Sequence, residues 1–371
     1  MSGISLIILS AGQSSRFGLE QKKQWLRSGT KPFWLLATQN LMKATHFDEV
    51  FVVSDDAQKM EIYAPNFHFV KGGATRQESL FNALKLVKTP WVMTSDAARV
   101  NVSKELVLNL LENMNNADCI VPVLKCADSV VLGSEYVNRD EIKLIGTPQL
   151  SRTDMLKKAL ESGELYNDDS AAMSAIGAKI WYSKGDENAF KLTFKEDLRR
   201  LKLSPPSDMC FNGHGFDVHR FCDGDFVTLC GEKITHDKGI LAHSDGDAPL
   251  HALCDALFGA AGLGDIGEFF PDTDERYKGA DSLELLKECA KIVRSYGYEI
   301  VNADITILCE RPKITPHKAK MRINVASALR IPAQFVNIKA TTMEKMGFIG
   351  SGEGLGAIAN AGIKYFDWTR V

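Results

Sequence analysis

Short β-branched runs alternate with amphipathic stretches through the first two hundred residues, and that alternation admits few folds. Ile4–Leu9, Glu49–Ser54, Phe67–Val70, Trp91–Ser95 and Cys119–Val123 read as strands. Pro32–Ala44, Arg76–Val87, Ser103–Met114 and Thr153–Glu161 read as helices between and after them. Strands separated by helices build a doubly wound sheet, parallel for the most part, whose ligands sit beyond the carboxyl ends of the strands. The loops after Leu9 and Ser95 are therefore the places to look for a site. A last helix is expected over Lys195–Leu203, and Ser204-Pro205-Pro206-Ser207-Asp208 stops it, because adjacent prolines neither continue a helix nor fill a central strand. The expected organisation is a first domain over 1–203, a proline-containing linker over 204–210 that is stiff rather than floppy, and a second domain over 211–371. In the second domain Phe211–His219, Tyr298–Leu308, Phe335–Ala340 and Ala357–Phe366 read as strands, and Gly246–Ala261, Ser282–Ser295 and Pro316–Leu329 as helices.

Charge and composition narrow the function classes. With 44 basic against 47 acidic residues the net charge is −3, which argues against a nucleic-acid or anionic-membrane binder working by bulk charge. No apolar run approaches the ~18–20 residues that cross a bilayer. Ile4–Leu9 has no basic residue ahead of it and is too short for a signal-peptide core, so a cytoplasmic location is expected. The eight cysteines include no C-x-x-C pair and are spread over a chain large enough to build its own cores, so buried reduced thiols are expected. Six of the eight histidines fall after residue 208, which puts imidazole chemistry in the second half.

Directly after the first strand comes Ser10-Ala11-Gly12-Gln13-Ser14-Ser15-Arg16-Phe17-Gly18, then Lys22-Lys23-Gln24-Trp25. Small residues let backbone N–H groups turn toward one anion, and Arg16 and Lys23 add two cations. Alone, such a loop is also an ordinary surface turn. Further loops change the reading: Gly72-Gly73-Ala74-Thr75-Arg76-Gln77-Glu78-Ser79 opens a helix with a glycine pair, and Ser95-Asp96-Ala97-Ala98-Arg99 ends a strand with a carboxylate suited to a magnesium ion bridging phosphates. Together with TPQ at 147–149, DDSAA at 168–172 and FKLTFKEDL at 190–198, these motifs resemble 2-C-methylerythritol 4-phosphate cytidylyltransferase across residues 1–203. The resemblance implies a Rossmann-like nucleotidyltransferase domain in which Arg16, Lys23 and Lys191 neutralise the triphosphate and Asp96 holds Mg²⁺. It also implies that Gly73, Arg76 and Ser79 line a cytosine pocket. Arg99, Ser129 and Arg139 would receive methylerythritol phosphate, partly across a dimer interface. The chain departs from the family's usual pattern at Ser14-Ser15, where glycine is commoner, at Ser95 and Val100, where His and Pro usually stand, and at Ala74, often acidic elsewhere.

In the second half Gly213-His214-Gly215-Phe216-Asp217-Val218-His219 puts Asp217 and His219 on one face of a strand, because side chains two apart point the same way. Ala242-His243-Ser244-Asp245-Gly246-Asp247 then turns into a helix carrying His251. Two imidazoles and one carboxylate with a position left open is the pattern of a working zinc site, although His251 also suits a core histidine and D-x-H a surface pair. The run continues through GDIG, FPDTD, KGADS and Glu344-Lys345-Met346-Gly347-Phe348, and over nearly all of 211–366 it resembles 2-C-methylerythritol 2,4-cyclodiphosphate synthase. The resemblance implies an α/β (α+β) domain with a sheet on one side and helices on the other, forming trimers with sites between subunits. It implies Zn²⁺ on Asp217, His219 and His251, and a second ion, Mg²⁺ or Mn²⁺, held with help from Glu344. His243, Ser244, Asp265 and Asp272 would position the methylerythritol phosphate arm. Leu308, Cys309, Lys313, Ala340, Thr341 and Thr342 would surround the cytidine monophosphate portion, with Thr342 among the catalytic groups. Ser351 replaces an arginine common in relatives, where it is associated with a cavity on the trimer axis. A G-x-G-x-x-A match at Gly352, Gly354 and Ala357 opens no βαβ unit, which needs ~30 residues, and is rejected.

The expected function is therefore a bifunctional enzyme of isoprenoid-precursor synthesis by the methylerythritol phosphate route, using CTP and releasing CMP. The two steps are separated by a kinase step, and no kinase phosphate loop is present in the chain. A dimerising half joined to a trimerising half suggests a hexamer or larger, with the pathway kinase a further candidate partner. Two other readings remain at this point: a sugar-phosphate nucleotidyltransferase fused to a zinc hydrolase, and a scaffold with an inactive first half.

Overall fold

The computed structural model describes residues 3–242, 244–271 and 279–371, so His243 and Asp272 lie outside the described residues. The chain divides into two compact units, one of residues 1–19, 23–205 and 368–371, the other of residues 20–22 and 206–367. The last four residues, expected in the second domain, thus belong with the first. Trp368 explains why: its indole N–H donates to the Arg27 carbonyl at 2.6 Å and its ring meets Phe33 edge-on.

In the first unit eight strands form one sheet: β1 (Ile4–Leu9), β2 (Glu49–Val53), β3 (His68–Val70), β4 (Trp91–Asp96), β5 (Cys119–Lys125), β6 (Lys143–Ile145), β7 (Gln149–Arg152) and β8 (Ile180–Lys184). Their order is β6-β5-β7-β4-β1-β2-β3, with β8 paired to β5. Pairings β1–β2, β1–β4, β2–β3 and β5–β8 are parallel, whereas β6 and β7 run antiparallel to their neighbours. All six residues of β1 are buried, as a strand covered on both faces requires. The register sets Leu9 beside Asp96, which brings the loop after β1 and the end of β4 to one place. Helices α1 (Phe33–Met42), α2 (Arg76–Leu84), α3 (Lys104–Glu112), α4 (Thr153–Glu161) and α5 (Asp169–Ala175) accompany the sheet. Three of these begin at side-chain caps: Thr75 of α2 accepts from Glu78 N–H at 3.0 Å, Ser103 of α3 from Leu106 N–H at 3.3 Å, and Asp168 of α5 from Ala171 N–H at 2.8 Å. The closing helix expected over Lys195–Leu203 is instead a 3₁₀ turn over Lys195–Arg200, held by Asp197 accepting the N–H groups of Thr193 and Phe194.

In the second unit a five-stranded sheet runs in the order β10-β9-β13-β11-β12, with β9 (Cys210–Cys222), β10 (Gly239–Leu241), β11 (Tyr298–Leu308), β12 (Val336–Thr341) and β13 (Gly354–Tyr365). Helices α6 (Ala248–Ala261), α7 (Ser282–Ser295) and α8 (Lys318–Leu329) contribute to a single core with the sheet. Phe216 and Val218 alternate out of this core and stand 53% and 37% exposed. The opposite face of β9 carries Gly213 and Gly215, where an added Cβ would lie 1.8 Å from the Ala256 carbonyl oxygen and 1.9 Å from that of Ala252. Backbone meets backbone there, so α6 sits directly on the strand and His251 comes down beside Asp217 and His219. Gly215→Ala is expected to push α6 outward at a cost of about 1–3 kcal/mol or more. The thermal transition of the second unit and cyclisation should both fall while cytidylyl transfer holds; an unchanged melting profile with full cyclisation would contradict this packing.

Candidate functional sites

The first site is a cavity of about 580 Å³ at the carboxyl ends of β1 and β4, lined by the loop of residues 10–16, by Lys23, Arg76 and Ser79, and by Asp96 and Lys191. Ser14 adopts φ +57°, a left-handed conformation in which glycine is the usual residue. Its hydroxyl accepts the Lys23 N–H at 3.1 Å, so the serine gives the loop a hydrogen bond that glycine could not. Gln24, which sequence reasoning passed over, is buried and donates to the carbonyls of Ser10 and Gly12 at 3.2 and 3.4 Å. The Lys23 ammonium is anchored on the Leu192 carbonyl at 3.0 Å. Burial lowers its pKa, and Lys191 and Arg16 lower it further.

Asp96 is the negative centre of this group. Lys191 reaches it at 3.0 Å, Arg76 at 3.5 Å and Arg99 at 3.9 Å, and the Thr147 hydroxyl donates to it at 3.4 Å. Burial alone would raise its pKa, but Arg76, Lys191 and Arg99 outweigh that and hold it at about 2. A carboxylate whose charged form is favoured in this way, facing a phosphate-sized space, suits Mg²⁺, which takes one or two carboxylates plus substrate phosphates. Arg76 is itself held by Asp169, 2% exposed, at 2.8 Å, and Asp169 accepts from the Thr94 hydroxyl. Sequence reasoning missed Asp169 as an individual residue, although it stands in the DDSAA motif. Gly73 N–H donates to the Ser79 hydroxyl at 3.0 Å, joining two of the expected cytosine-pocket residues. Ser129 and Arg139 stand elsewhere. They flank the hairpin Val130–Leu132/Glu135–Val137, where Arg139 donates to the Ala127 carbonyl, and neither lines the cavity.

In the second unit Asp217, His219 and His251 form one cluster. Asp217 Oδ2 lies 3.1 Å from His219 Nε2 and 3.1 Å from His251 Nδ1, and the two nitrogens are 3.4 Å apart. A tetrahedral ion with bonds of about 2.0–2.1 Å has ligand–ligand edges of about 3.3 Å, so this triangle already has the size of one face of a zinc shell. Burial would raise Asp217, but hydrogen bonds from the two histidines hold it well below the usual carboxylate range. Burial lowers His251, yet Asp217 outweighs it and the net shift is upward. Asp247 caps α6 and accepts the N–H groups of Cys230 and Gly231 at 2.8 and 2.6 Å; full burial nevertheless pushes it up to about 7.

Ser244 Oγ is 3.2 Å from His251 Nε2, so this expected substrate contact sits at the edge of the cluster. Asp265 caps the short helix Ile266–Phe269 by accepting Glu268 N–H at 3.1 Å. Asp255, one turn along α6 from His251, accepts Ile266 N–H at 2.8 Å and was not singled out from the sequence. The i, i+4 spacing from His251 was the available signal. Glu344 is outside the cluster; it adopts φ +50° and accepts the Thr342 hydroxyl at 3.0 Å. Leu308 pairs with Thr341 across the parallel strands β11 and β12, and Cys309 N–H donates to the Thr341 carbonyl at 3.2 Å. Glu310 accepts Met343 N–H at 2.9 Å, which fixes the loop bearing Thr341, Thr342 and Glu344; Lys313 is exposed nearby in sequence. All eight cysteines are free thiols, and burial raises Cys119 to about 12. Among the described residues no helix is long and apolar enough to cross a membrane.

Both halves of the chain match known families. Residues 4–203 match the family described as 2-C-methyl-D-erythritol 4-phosphate cytidylyltransferase, and residues 210–364 match the YgbB family. The bifunctional enzyme IspD/IspF of Campylobacter fetus subsp. fetus (strain 82-40) is 54% identical over 371 residues, with 100% of both chains covered. That of Campylobacter curvus (strain 525.92) is also 54% identical over the full length of both. The solved structure of the bifunctional IspDF from Campylobacter jejuni matches with a TM-score of 0.95 and 49% identity, covering 100% of each chain.

Proposed function

This chain belongs to the bifunctional IspD/IspF family, and from that premise we propose how its own residues divide the two reactions. The enzyme works in isoprenoid-precursor synthesis by the methylerythritol phosphate route. One half joins CTP and 2-C-methyl-D-erythritol 4-phosphate into 4-diphosphocytidyl-2-C-methyl-D-erythritol with release of pyrophosphate. The other converts 4-diphosphocytidyl-2-C-methyl-D-erythritol 2-phosphate into the 2,4-cyclodiphosphate and CMP.

What supports the residue assignment is the contrast between the sites. The first sets Asp96 among three cations, and the second sets Asp217 between two imidazoles. In transfer, a phosphate-monoester oxygen attacks the α-phosphorus of CTP, so no protein nucleophile is needed and the work is alignment and charge neutralisation. Lys23, Arg16 and Lys191 neutralise the triphosphate. Asp169 keeps Arg76 aimed between the cytosine pocket and Asp96. Arg99 receives the sugar phosphate together with Ser129 and Arg139, the latter two reaching it across a dimer interface.

In cyclisation, a 2-phosphate oxygen attacks the β-phosphorus and CMP leaves. Asp217, His219 and His251 would hold Zn²⁺, Glu344 would help hold Mg²⁺ or Mn²⁺, and Asp96 would hold Mg²⁺ in the other half. Ions so bound act as Lewis acids and as templates for the phosphates. Ser244 and Asp265, with His243 and Asp272, orient the methylerythritol phosphate arm. Lys313, Thr341 and Thr342 surround the cytidine monophosphate portion, with Thr342 among the catalytic groups.

The exposed Phe216 and Val218 on the open sheet face suit a trimer contact, which would bring Glu344 and Thr342 to a neighbouring subunit's metal cluster. The hairpin with Leu132 at 76% and Tyr136 at 83% exposure suits a dimer contact in the first unit. Light scattering is expected to give a multiple of 40.9 kDa, and a single monomer mass would contradict both contacts. Metal removal tests the division of labour. After chelation and return of Mg²⁺ alone, cytidylyl transfer should recover while cyclisation waits for Zn²⁺. Full recovery of cyclisation without Zn²⁺ would contradict the assignment.

A further inference from the structure

The second ring nitrogen of His251 is engaged as firmly as the one in the cluster. Its Nε2 lies 3.0 Å from the Ser282 hydroxyl, and that hydroxyl donates to Asp245 Oδ1 at 2.5 Å. Ser282 is fully buried at the first turn of α7, and its backbone N–H also donates to Asp245 Oδ2, at 3.2 Å. Asp245 thus accepts from both donors of Ser282, and the single hydroxyl hydrogen is committed to it. What the hydroxyl then offers His251 is a lone pair, and the Nε2 position must carry the hydrogen. A neutral ring protonated at Nε2 has its free lone pair on Nδ1, the nitrogen that lies 3.1 Å from Asp217 and 3.4 Å from His219.

We propose that Ser282 and Asp245 form a positioning pair that fixes the tautomer and ring orientation of His251, presenting Nδ1 to a metal ion. This rests on the reading of Asp217, His219 and His251 as metal ligands, and assigns work to two residues that touch neither the ion nor substrate. Outer partners of this kind raise ligand basicity and hold the ring, and removing them costs ~10–100-fold in metal affinity. Ser244 also approaches Nε2, at 3.2 Å, but it accepts Gly246 N–H and no carboxylate among the described residues takes its hydrogen, so it does not dictate the proton's place.

The test is competition between the full-length protein and a chromophoric chelator for Zn²⁺, with Co²⁺ absorption as a second readout of the shell. Wild type is measured first, and failure to bind Zn²⁺ there sinks the metal-site reading itself. Given wild-type binding, Ser282→Ala should weaken Zn²⁺ by ~10–100-fold and alter the Co²⁺ band. Ser282→Thr, which keeps the hydroxyl, should restore affinity. Asp245→Ala should resemble Ser282→Ala, and Ser244→Ala should stay within about threefold of wild type, below the range expected for an outer partner. The alanine variant should fold, since Asp281 still caps α7 by accepting Leu283 N–H at 2.8 Å, and circular dichroism and retained cytidylyl transfer check this. Folded Ser282→Ala with wild-type Zn²⁺ affinity, or an effect equal in Ser244→Ala, would overturn the proposal. If Ser282→Ala does not fold, a Ser282→Thr protein with weakened Zn²⁺ overturns it, and one with wild-type affinity alongside a weakened Asp245→Ala supports it.

Discussion

Lys23→Ala should lower kcat of cytidylyl transfer by on the order of 10²–10³-fold, about 2.7–4 kcal/mol of barrier, the cost of losing one preorganised group that meets developing charge. The ammonium is already in place, anchored on the Leu192 carbonyl at 3.0 Å, so its stabilising effect needs no rearrangement during the reaction. Cyclisation uses none of this machinery and should be unchanged. A pH profile sharpens the test. Burial, Lys191 and Arg16 lower the Lys23 pKa, so the protonated form is fully present at low pH and is lost as pH rises through a value below that of free lysine. Wild type should therefore show an alkaline decline that begins earlier than an ordinary lysine allows, and Lys23→Arg should move it to higher pH. A kcat within threefold of wild type for Lys23→Ala at saturating CTP would sink the assignment.

His251→Ala should act on the other half alone. It removes one corner of the 3.1–3.4 Å triangle and leaves two ligands where three are needed to hold an ion with an open position. Charge withdrawal by a bound Lewis acid is worth several kcal/mol, so cyclisation should fall on the order of 10³-fold, with zinc content falling in parallel. Cytidylyl transfer by the same protein should be unaffected. Retention of both zinc and cyclisation would remove His251 from the site.

Elements with long runs of one period were legible. Ile4–Leu9, Thr153–Glu161, Ser282–Ser295 and Tyr298–Leu308 have the bounds expected from the sequence. The strands Lys143–Ile145, Gln149–Arg152 and Ile180–Lys184 were not, because three to five residues carry too little alternation and their partners are supplied by tertiary pairing. The hairpin Phe226–Leu229/Glu232–Thr235 escaped for the same reason. At the sites, Asp217 and His219 could be placed together by strand geometry alone, whereas His251 needed the motif around it. Asp169, Asp245 and Ser282 lay inside recognised motifs, but their roles depend on partners far along the chain: Arg76 is 93 residues from Asp169, and Ser282 is 31 from His251. Only the folded sheet and helices bring such pairs together.

The most direct test is a phosphorus NMR time course on the full-length chain with Mg²⁺, Zn²⁺, CTP and 2-C-methyl-D-erythritol 4-phosphate. Pyrophosphate and a cytidine diphosphate diester should accumulate and the reaction should stop there. Addition of the 2-phosphorylated diester should then yield the cyclic diphosphate and CMP. No turnover in the first mixture would mean that Ser14, Ser15 or Ser95 has cost the transfer activity. A cyclic diphosphate formed before the phosphorylated diester is added would contradict the division into two non-consecutive steps.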